Sequence, residues 1–219
     1  MESKTVKTGL SRPLILQAAV RFVDREGLDA LSMRKLGDDL GVEAMSLYRY
    51  VASKNDLLDG VHEVVLREMP AMTLGGRWRE DLRTVARAFR FILLRHPRCL
   101  PLFSTRPVLT PGSLPFVEML LALFREAGFA GAQALSALHL FHHLVVGHCA
   151  LHADTQASLG QAAAMLEAAG EDFPHTTAAL TLATPRSVDE EFEFGLAALL
   201  AGLDGTLSQG VADLLREIS

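Results

Sequence analysis

The sequence predicts an all-α protein: a small three-helix head containing a helix-turn-helix, then a larger helical body. Apolar residues recur at helical spacing in segment after segment, and no stretch alternates apolar and polar as a half-buried strand does. Gly and Pro fall mainly between those segments, where helices stop. With 219 residues, 49% hydrophobic and 21% charged, the chain can build one large core or two small ones.

The net charge of −5 argues against a uniformly basic nucleic-acid binder. Its distribution is uneven. Residues 1–54 carry nine Lys/Arg against seven Asp/Glu, and the rest of the chain twelve against nineteen. A mildly basic front on an acidic back suits a small DNA-reading head on a body that DNA repels. Cys99 and Cys149 sit in apolar surroundings and match no metal or redox spacing, which suggests a reducing cytoplasm. The N-terminus has no apolar signal core, and the apolar run near Phe194–Leu203 is too short to span a bilayer. A soluble, cytoplasmic protein with no membrane partner is expected.

Residues 1–10 read as a polar, flexible arm. Lys4 and Lys7 either meet phosphate or belong to a tail with no role. Ser11 is an N-cap and Pro13 fits the first turn of a helix. Leu14, Ala18, Ala19, Phe22 and Val23 give that helix its apolar face, and Gly27 stops it. Ser32 caps a second helix with Met33, Leu36 and Leu40 inside, and Gly41 ends it. Val42 is expected beneath the turn. A third helix is expected over about 43–50, with Leu47 and Val51 inward. Ala44, Met45, Ser46, Tyr48, Arg49 and Tyr50 are then left on its outer or N-terminal surface. Small residues at a helix start let the backbone approach phosphates and base edges. Two Tyr and an Arg on so short an element suit phosphate and base contacts, the alternative being a plain surface helix. Ser53 caps a fourth helix, with Asp56 as its capping-box partner. Leu57, Leu58, Val61, Val64 and Val65 form its apolar stripe.

The stretch from Leu31 to Asp59 resembles the N-terminal domain of the TetR family of repressors. It shows the Ser-x-Arg-x-Leu helix ending in Leu-Gly-Val, the small-residue start of the recognition helix, Leu-Tyr-x-Tyr-Val, and the Lys-x-x-Leu-Leu entry to the fourth helix. Gly37 stands where Ala is usual, a departure expected to loosen the second helix. The resemblance implies that Arg34 and Lys54 hold phosphates or flanking bases. It further implies that Ala44, Met45, Ser46, Tyr48, Arg49 and Tyr50 line the groove, with Tyr48 and Tyr50 as backbone clamps. It also implies that the fourth helix joins head to body, so that moving it changes the spacing between two heads. The domain boundary is placed near residue 70, dividing the chain into the arm (1–10), the head with its connecting helix (11–69) and the body (70–219).

In the body, Trp78, Leu82, Val85, Phe89, Ile92 and Leu93 mark a helix over about 78–96, with Trp78 a core anchor or a pocket wall. Pro97 and Pro101 break it before a short apolar segment, and Pro111-Gly112 forms a loop. Further helices are expected over 113–127, 131–154, about 175–183 and from Ser187 or Asp189 to about 204, then a weakly helical tail. Phe192, Phe194, Leu196, Leu199, Leu200 and Leu203 are read as the apolar face of the last strong helix. The body resembles the tetracycline-repressor type of sensor domain through Trp78, Phe89-Arg90, His96, Thr105-Arg106-Pro107, Ala127-Gly128-Phe129 and Gly147. By that resemblance, helices 131–154 and 188–204 pair with their copies in a homodimer.

Five of eight His lie in one segment: His139, His142, His143, His148 and His152. The pairs His139/His143 and His148/His152 share a helix face and have spacing that can ligate a metal. Nothing completes a site beside the first pair, and Cys149 and Asp154 flank the second; the five read as pocket or seam lining, or as packed core His, and no metal or cofactor is expected. Where tetracycline-binding members have polar drug contacts, this chain has Pro70, Val85 and Leu102. The expected effector site is therefore apolar with a few polar handles, formed by Val85, Phe89, Leu102, Phe103, Thr105, Phe116, Leu120, His139 and His142. A small lipophilic or aromatic effector fits it. No nucleophile-plus-base motif or phosphate loop stands out, and no catalytic residue is assigned. Together with the resemblance, these features imply a homodimeric, ligand-responsive regulator, by family habit usually a repressor, on a palindromic double-stranded DNA operator. The alternative is a helical ligand-binding or scaffold protein with a vestigial DNA head.

Overall fold

The computed structural model describes residues 9–106, 109–152, 165, 173–182 and 187–209. The expected arm at 1–8, most of 153–172 and the tail beyond 209 lie outside them. Among the described residues all regular structure is helical: α1 (Arg12–Glu26), α2 (Met33–Leu40), α3 (Ala44–Leu47), α4 (Lys54–Arg67), α5 (Trp78–Arg95), a 3-10 turn (Pro97–Cys99), α6 (Leu100–Thr105), α7 (Leu114–Glu126), α8 (Ala132–His152), α9 (Pro174–Leu182) and α10 (Val188–Gln209). The chain divides into two compact units. One holds Met1–Ala71 and Phe91–Met119, the other Met72–Arg90 and Leu120–Ser219.

In the first unit, α1 begins where the Ser11 hydroxyl accepts from the Leu14 N–H, and ends at Gly27, whose N–H donates to the Val23 carbonyl. Its buried face of Ile15, Leu16, Ala19 and Val23 packs on α4. At the crossing, a Cβ on Gly60 would lie 2.3 Å from Leu16 Cδ2, so the helices approach closely only because Gly60 has none. The other side of α4 meets α6. The ring of His62, 3% exposed, lies 4.4 Å from that of Phe103. Three polar ties fix the α6–α7 connection to α4. The Arg106 guanidinium donates to Asp59 at 2.9 Å and to the Asn55 carbonyl at 3.0 Å, and the Gly112 N–H donates to the Glu63 carboxylate at 2.8 Å.

In the second unit, the Asp81 carboxylate caps α5 by accepting the N–H groups of Gly75 and Arg77. Trp78, expected in the core or a pocket wall, is only half-buried at the helix start, with the Arg79 guanidinium over its ring at 5.0 Å. Buried faces of α8 (Leu138, Phe141, Val145, Cys149) and α10 (Phe192, Leu196, Leu200, Leu203) pack together. Phe194, read as part of that face, is instead 59% exposed. It lies two residues from Phe192, about 200° around a 3.6-residue turn, and so points away from α8. Among the described residues, three ion pairs join α5 to α10: Arg79–Asp204, Arg87–Glu193 at 2.7 Å and Arg90–Asp189 at 2.6 Å. The residues 132–151 form a longer apolar helix than the run at 194–203, and would cross a membrane by length and composition alone. Buried Leu138, Phe141 and Val145 explain that composition as packing against α10.

Candidate nucleic-acid interface

The helix-turn-helix is built from local capping and one unusual contact. The Ser32 hydroxyl accepts from the Lys35 N–H at 3.2 Å and starts α2. Gly41 adopts φ 68°, ψ 31°, the left-handed cap an L side chain resists, and turns the chain toward α3. Gly37 does not loosen α2, which runs unbroken through it. A Cβ there would lie 2.8 Å from the Val42 carbonyl oxygen and 3.2 Å from the Ala44 nitrogen. The missing side chain therefore lets the start of α3 lie directly on α2. Val42 is half-buried at that turn.

α3 is shorter than the expected 43–50. Regular helix covers Ala44–Leu47, and 48–50 form a turn in which the N–H groups of Tyr50 and Val51 both donate to the Leu47 carbonyl. Leu31, Leu36, Leu47 and Val51 are fully buried beneath it. Six of the eight side chains expected to face DNA are exposed. Met45 is 72% exposed, Tyr48 45% and Tyr50 37%. Arg34, Arg49 and Lys54 are exposed, while Ala44 and Ser46 are half-buried. Among the described residues, the three cations make no ion pair and the two Tyr hydroxyls have no hydrogen-bond partner. Three exposed cations and two phenols on one surface suit phosphate oxygens and base edges.

Behind this surface is a clamp the sequence reading missed. Arg12 grips Asp56 with two hydrogen bonds, at 2.9 and 2.7 Å, and also donates to the Tyr50 carbonyl at 3.1 Å. The start of α1, the end of the recognition turn and the start of α4 thus share one guanidinium. The Ser53 hydroxyl caps α4 by accepting from the Asp56 N–H. Asp56 answers by accepting from the Ala52 N–H at 2.7 Å, one residue before the position a capping box uses. Arg12 donation and the Ala52 hydrogen bond hold the Asp56 carboxyl below its ordinary value, against the effect of burial. Arg12 carries no local signal, because its partners lie 38 and 44 residues away.

The expected effector residues fall in both units. In the first, Leu102 and Phe103 are buried on α6, Phe116 is half-buried, and the Thr105 hydroxyl donates to the Pro101 carbonyl. In the second, Val85, Phe89 and Leu120 are buried. The Phe89 ring lies 6.4 Å from Phe141, stacked, and 6.2 Å from His142. Phe141 was absent from the sequence reading. His139 is exposed, its ring 6.3 Å from that of His143, and His148 packs on Phe192 at 5.1 Å. Among the described residues no three His, Cys, Asp or Glu converge as metal ligands. Burial raises the Cys149 thiol to about 11.

A buried helix-turn-helix scaffold presenting unpaired cations and aromatics defines a DNA-binding regulator. Comparison with known proteins agrees. Residues 15–61 match the model of bacterial regulatory proteins of the tetR family, and residues 70–207 that of the tetracyclin repressor-like C-terminal domain. An HTH-type transcriptional regulator of Saccharopolyspora erythraea is 34% identical over 211 residues, covering 94% of this chain and 89% of that protein. The HTH-type transcriptional repressor DrrR1 of Streptomyces coeruleorubidus is 38% identical over 147 residues, 66% of this chain and 54% of that repressor, so the match spans about half of DrrR1. Among solved structures, the Streptomyces coelicolor TetR family protein ActR in complex with (S)-DNPA superposes with a TM-score of 0.80 at 29% identity, covering 91% of this chain and 98% of ActR. ActR has also been solved with actinorhodin. The chain belongs to the TetR family: it is a ligand-responsive, DNA-binding transcriptional regulator that acts as a homodimer on operator DNA.

Proposed function

We propose that this protein is a cytoplasmic, non-enzymatic repressor whose head reads a palindromic operator and is released by a planar aromatic effector. The exposed, unpaired set of Arg34, Met45, Tyr48, Arg49, Tyr50 and Lys54 carries the first part. Residues 43–50 enter the major groove, with Ala44 and Ser46 allowing close approach. Arg34 and Lys54 bind flanking phosphates, and Tyr48 and Tyr50 clamp the backbone. Two heads then read half-sites about one helical turn apart. The dimer seam is assigned to α8 and α10, whose Leu135, Leu140, Leu151 and Phe194 leave apolar surface exposed on one chain.

The stacked Phe89 and Phe141 rings with His142 beside them support an aromatic effector, as does the likeness to a protein solved with actinorhodin. Val85 and Leu120 supply apolar surface and His139 a second polar handle in the same unit. Leu102, Phe103, Thr105 and Phe116 are the candidates in the other. Effector binding acts only through differential affinity for the DNA-bound and free states. The test of the head is the Tyr48→Ala, Arg49→Ala double variant. It loses operator binding while dimerisation and effector binding persist, and unchanged DNA affinity contradicts the assigned surface. A thermal-shift panel tests the effector class: polycyclic aromatic compounds stabilise the protein, and stabilisation only by highly polar or metal-chelated ligands contradicts it.

A further inference from the structure

We propose that Met45 selects a thymine in each half-site by packing its thioether against the 5-methyl group of the base. The proposal rests on the DNA-binding reading above and adds which base feature the head reads. Met45 is 72% exposed, more than any other large apolar side chain among the described residues of the head. The backbone sets that exposure. Leu47, fully buried, fixes the inward face of α3. Met45 precedes it by two residues, about 200° around a 3.6-residue turn, so it projects away from the core. The start of α3 is seated on α2, where the Val42 N–H donates to the Gly37 carbonyl at 2.9 Å and a Cβ on Gly37 would lie 3.3 Å from Ala44 Cα. That seat and the Leu47 anchor fix the rotation of α3, and with it the direction of Met45.

A single exposed methionine is ordinary surface. Its setting makes this one informative. Tyr48, Arg49 and Tyr50 follow it on the recognition turn and are exposed, as are Arg34 and Lys54. Cations and phenols on the same surface as an apolar tip match a partner with an anionic rim and an apolar feature inside it, which the major groove offers. In that groove adenine, guanine and cytosine present hydrogen-bonding atoms and no alkyl group, whereas thymine adds a methyl beside its O4. Methionine has no donor and only a weak acceptor. Against a polar base edge it leaves those groups desolvated and unpaired. Against the methyl it buries apolar surface on both sides, and its unbranched, polarizable chain adapts to the position of the methyl. Ala44 and Ser46, small and half-buried on either side of it, leave room for the base to approach.

The test is a uracil scan of the operator recovered from a duplex pool. Uracil keeps every hydrogen-bonding atom of thymine and lacks only the methyl, so each replacement removes the feature and nothing else. Wild type, Met45→Ala and Met45→Leu are compared on thymine and uracil operators at one salt concentration. At one thymine per half-site, wild type loses about fourfold in affinity, the worth of one buried methyl, and about fifteenfold when both half-sites are changed. Met45→Ala binds the thymine operator more weakly and is indifferent to uracil at that position. Met45→Leu, which restores an apolar contact, restores the penalty. A merely structural role of Met45 lowers affinity for both operators alike and leaves their ratio unchanged. No uracil-sensitive thymine in the wild-type half-site, or an equal uracil penalty in wild type and Met45→Ala, overturns the proposal. Failure of wild type to bind any duplex is a different result: it contradicts the DNA-binding reading itself, and the proposal with it.

Discussion

Replacing Asp56 with Ala removes three things at once: the Ala52 N–H acceptor, the two Arg12 hydrogen bonds, and through Arg12 the grip on the Tyr50 carbonyl. The capping bond is worth about 1 kcal/mol. The ion pair is about a third exposed on each side, 39% and 31%, and solvent screening limits it to about 0.5 kcal/mol. The expected loss is about 1.5 kcal/mol, read as a lower urea midpoint at unchanged m-value. An Arg12→Ala, Asp56→Ala cycle isolates a coupling of about 0.5 kcal/mol. The pH dependence has a definite sign. The folded Asp56 carboxyl is depressed, so its stabilisation is complete above the unfolded value and disappears as pH falls through the folded one. Wild type and Asp56→Asn therefore converge only below about pH 4. A cost under about 0.3 kcal/mol, or one unchanged down to pH 2, shows that the clamp is not what joins the recognition turn to α1 and α4.

Other substitutions test other joints. Burial holds His62 down to about 4, so the unfolded chain binds more protons between that value and about 6.5, and stability falls as pH drops through this window. His62→Leu flattens that limb in urea unfolding. Gly112→Ala places a Cβ 2.2 Å from Glu63 Cδ and costs about 1–3 kcal/mol by denaturation, because the buried carboxylate must move. Arg87→Ala, on an exposed pair with Glu193, costs under about 1 kcal/mol, and added salt shrinks the difference. Cys99 and Cys149, buried and raised to about 12 and about 11, resist thiol reagents in native protein and react fully in urea.

The head was legible because its instructions are local. Ser11, Ser32 and Ser53 each cap the helix that follows within three residues, and Gly27 and Gly41 end helices where their torsions permit. The length of α3 was overread because periodicity continues through Tyr50, whereas the backbone closes a turn on the Leu47 carbonyl. Gly37 was misread for a different reason: its cost in α2 is visible in sequence, but the carbonyl that occupies its Cβ position is not. Arg12–Asp56 and His96–Asp24 span 44 and 72 residues, and no local pattern pairs them. In the body, Phe192 and Phe194 look equivalent by composition, and only the partner helix decides which is buried.

The most direct experiment is selection from a random duplex pool at near-physiological salt, followed by sequencing of what is retained. The helix-turn-helix built on Leu31, Leu36, Leu47 and Val51 predicts one palindromic site, lost in the Tyr48→Ala, Arg49→Ala variant. Sequence-blind binding, or none, in protein both as purified and after refolding free of ligand contradicts the operator-reading head.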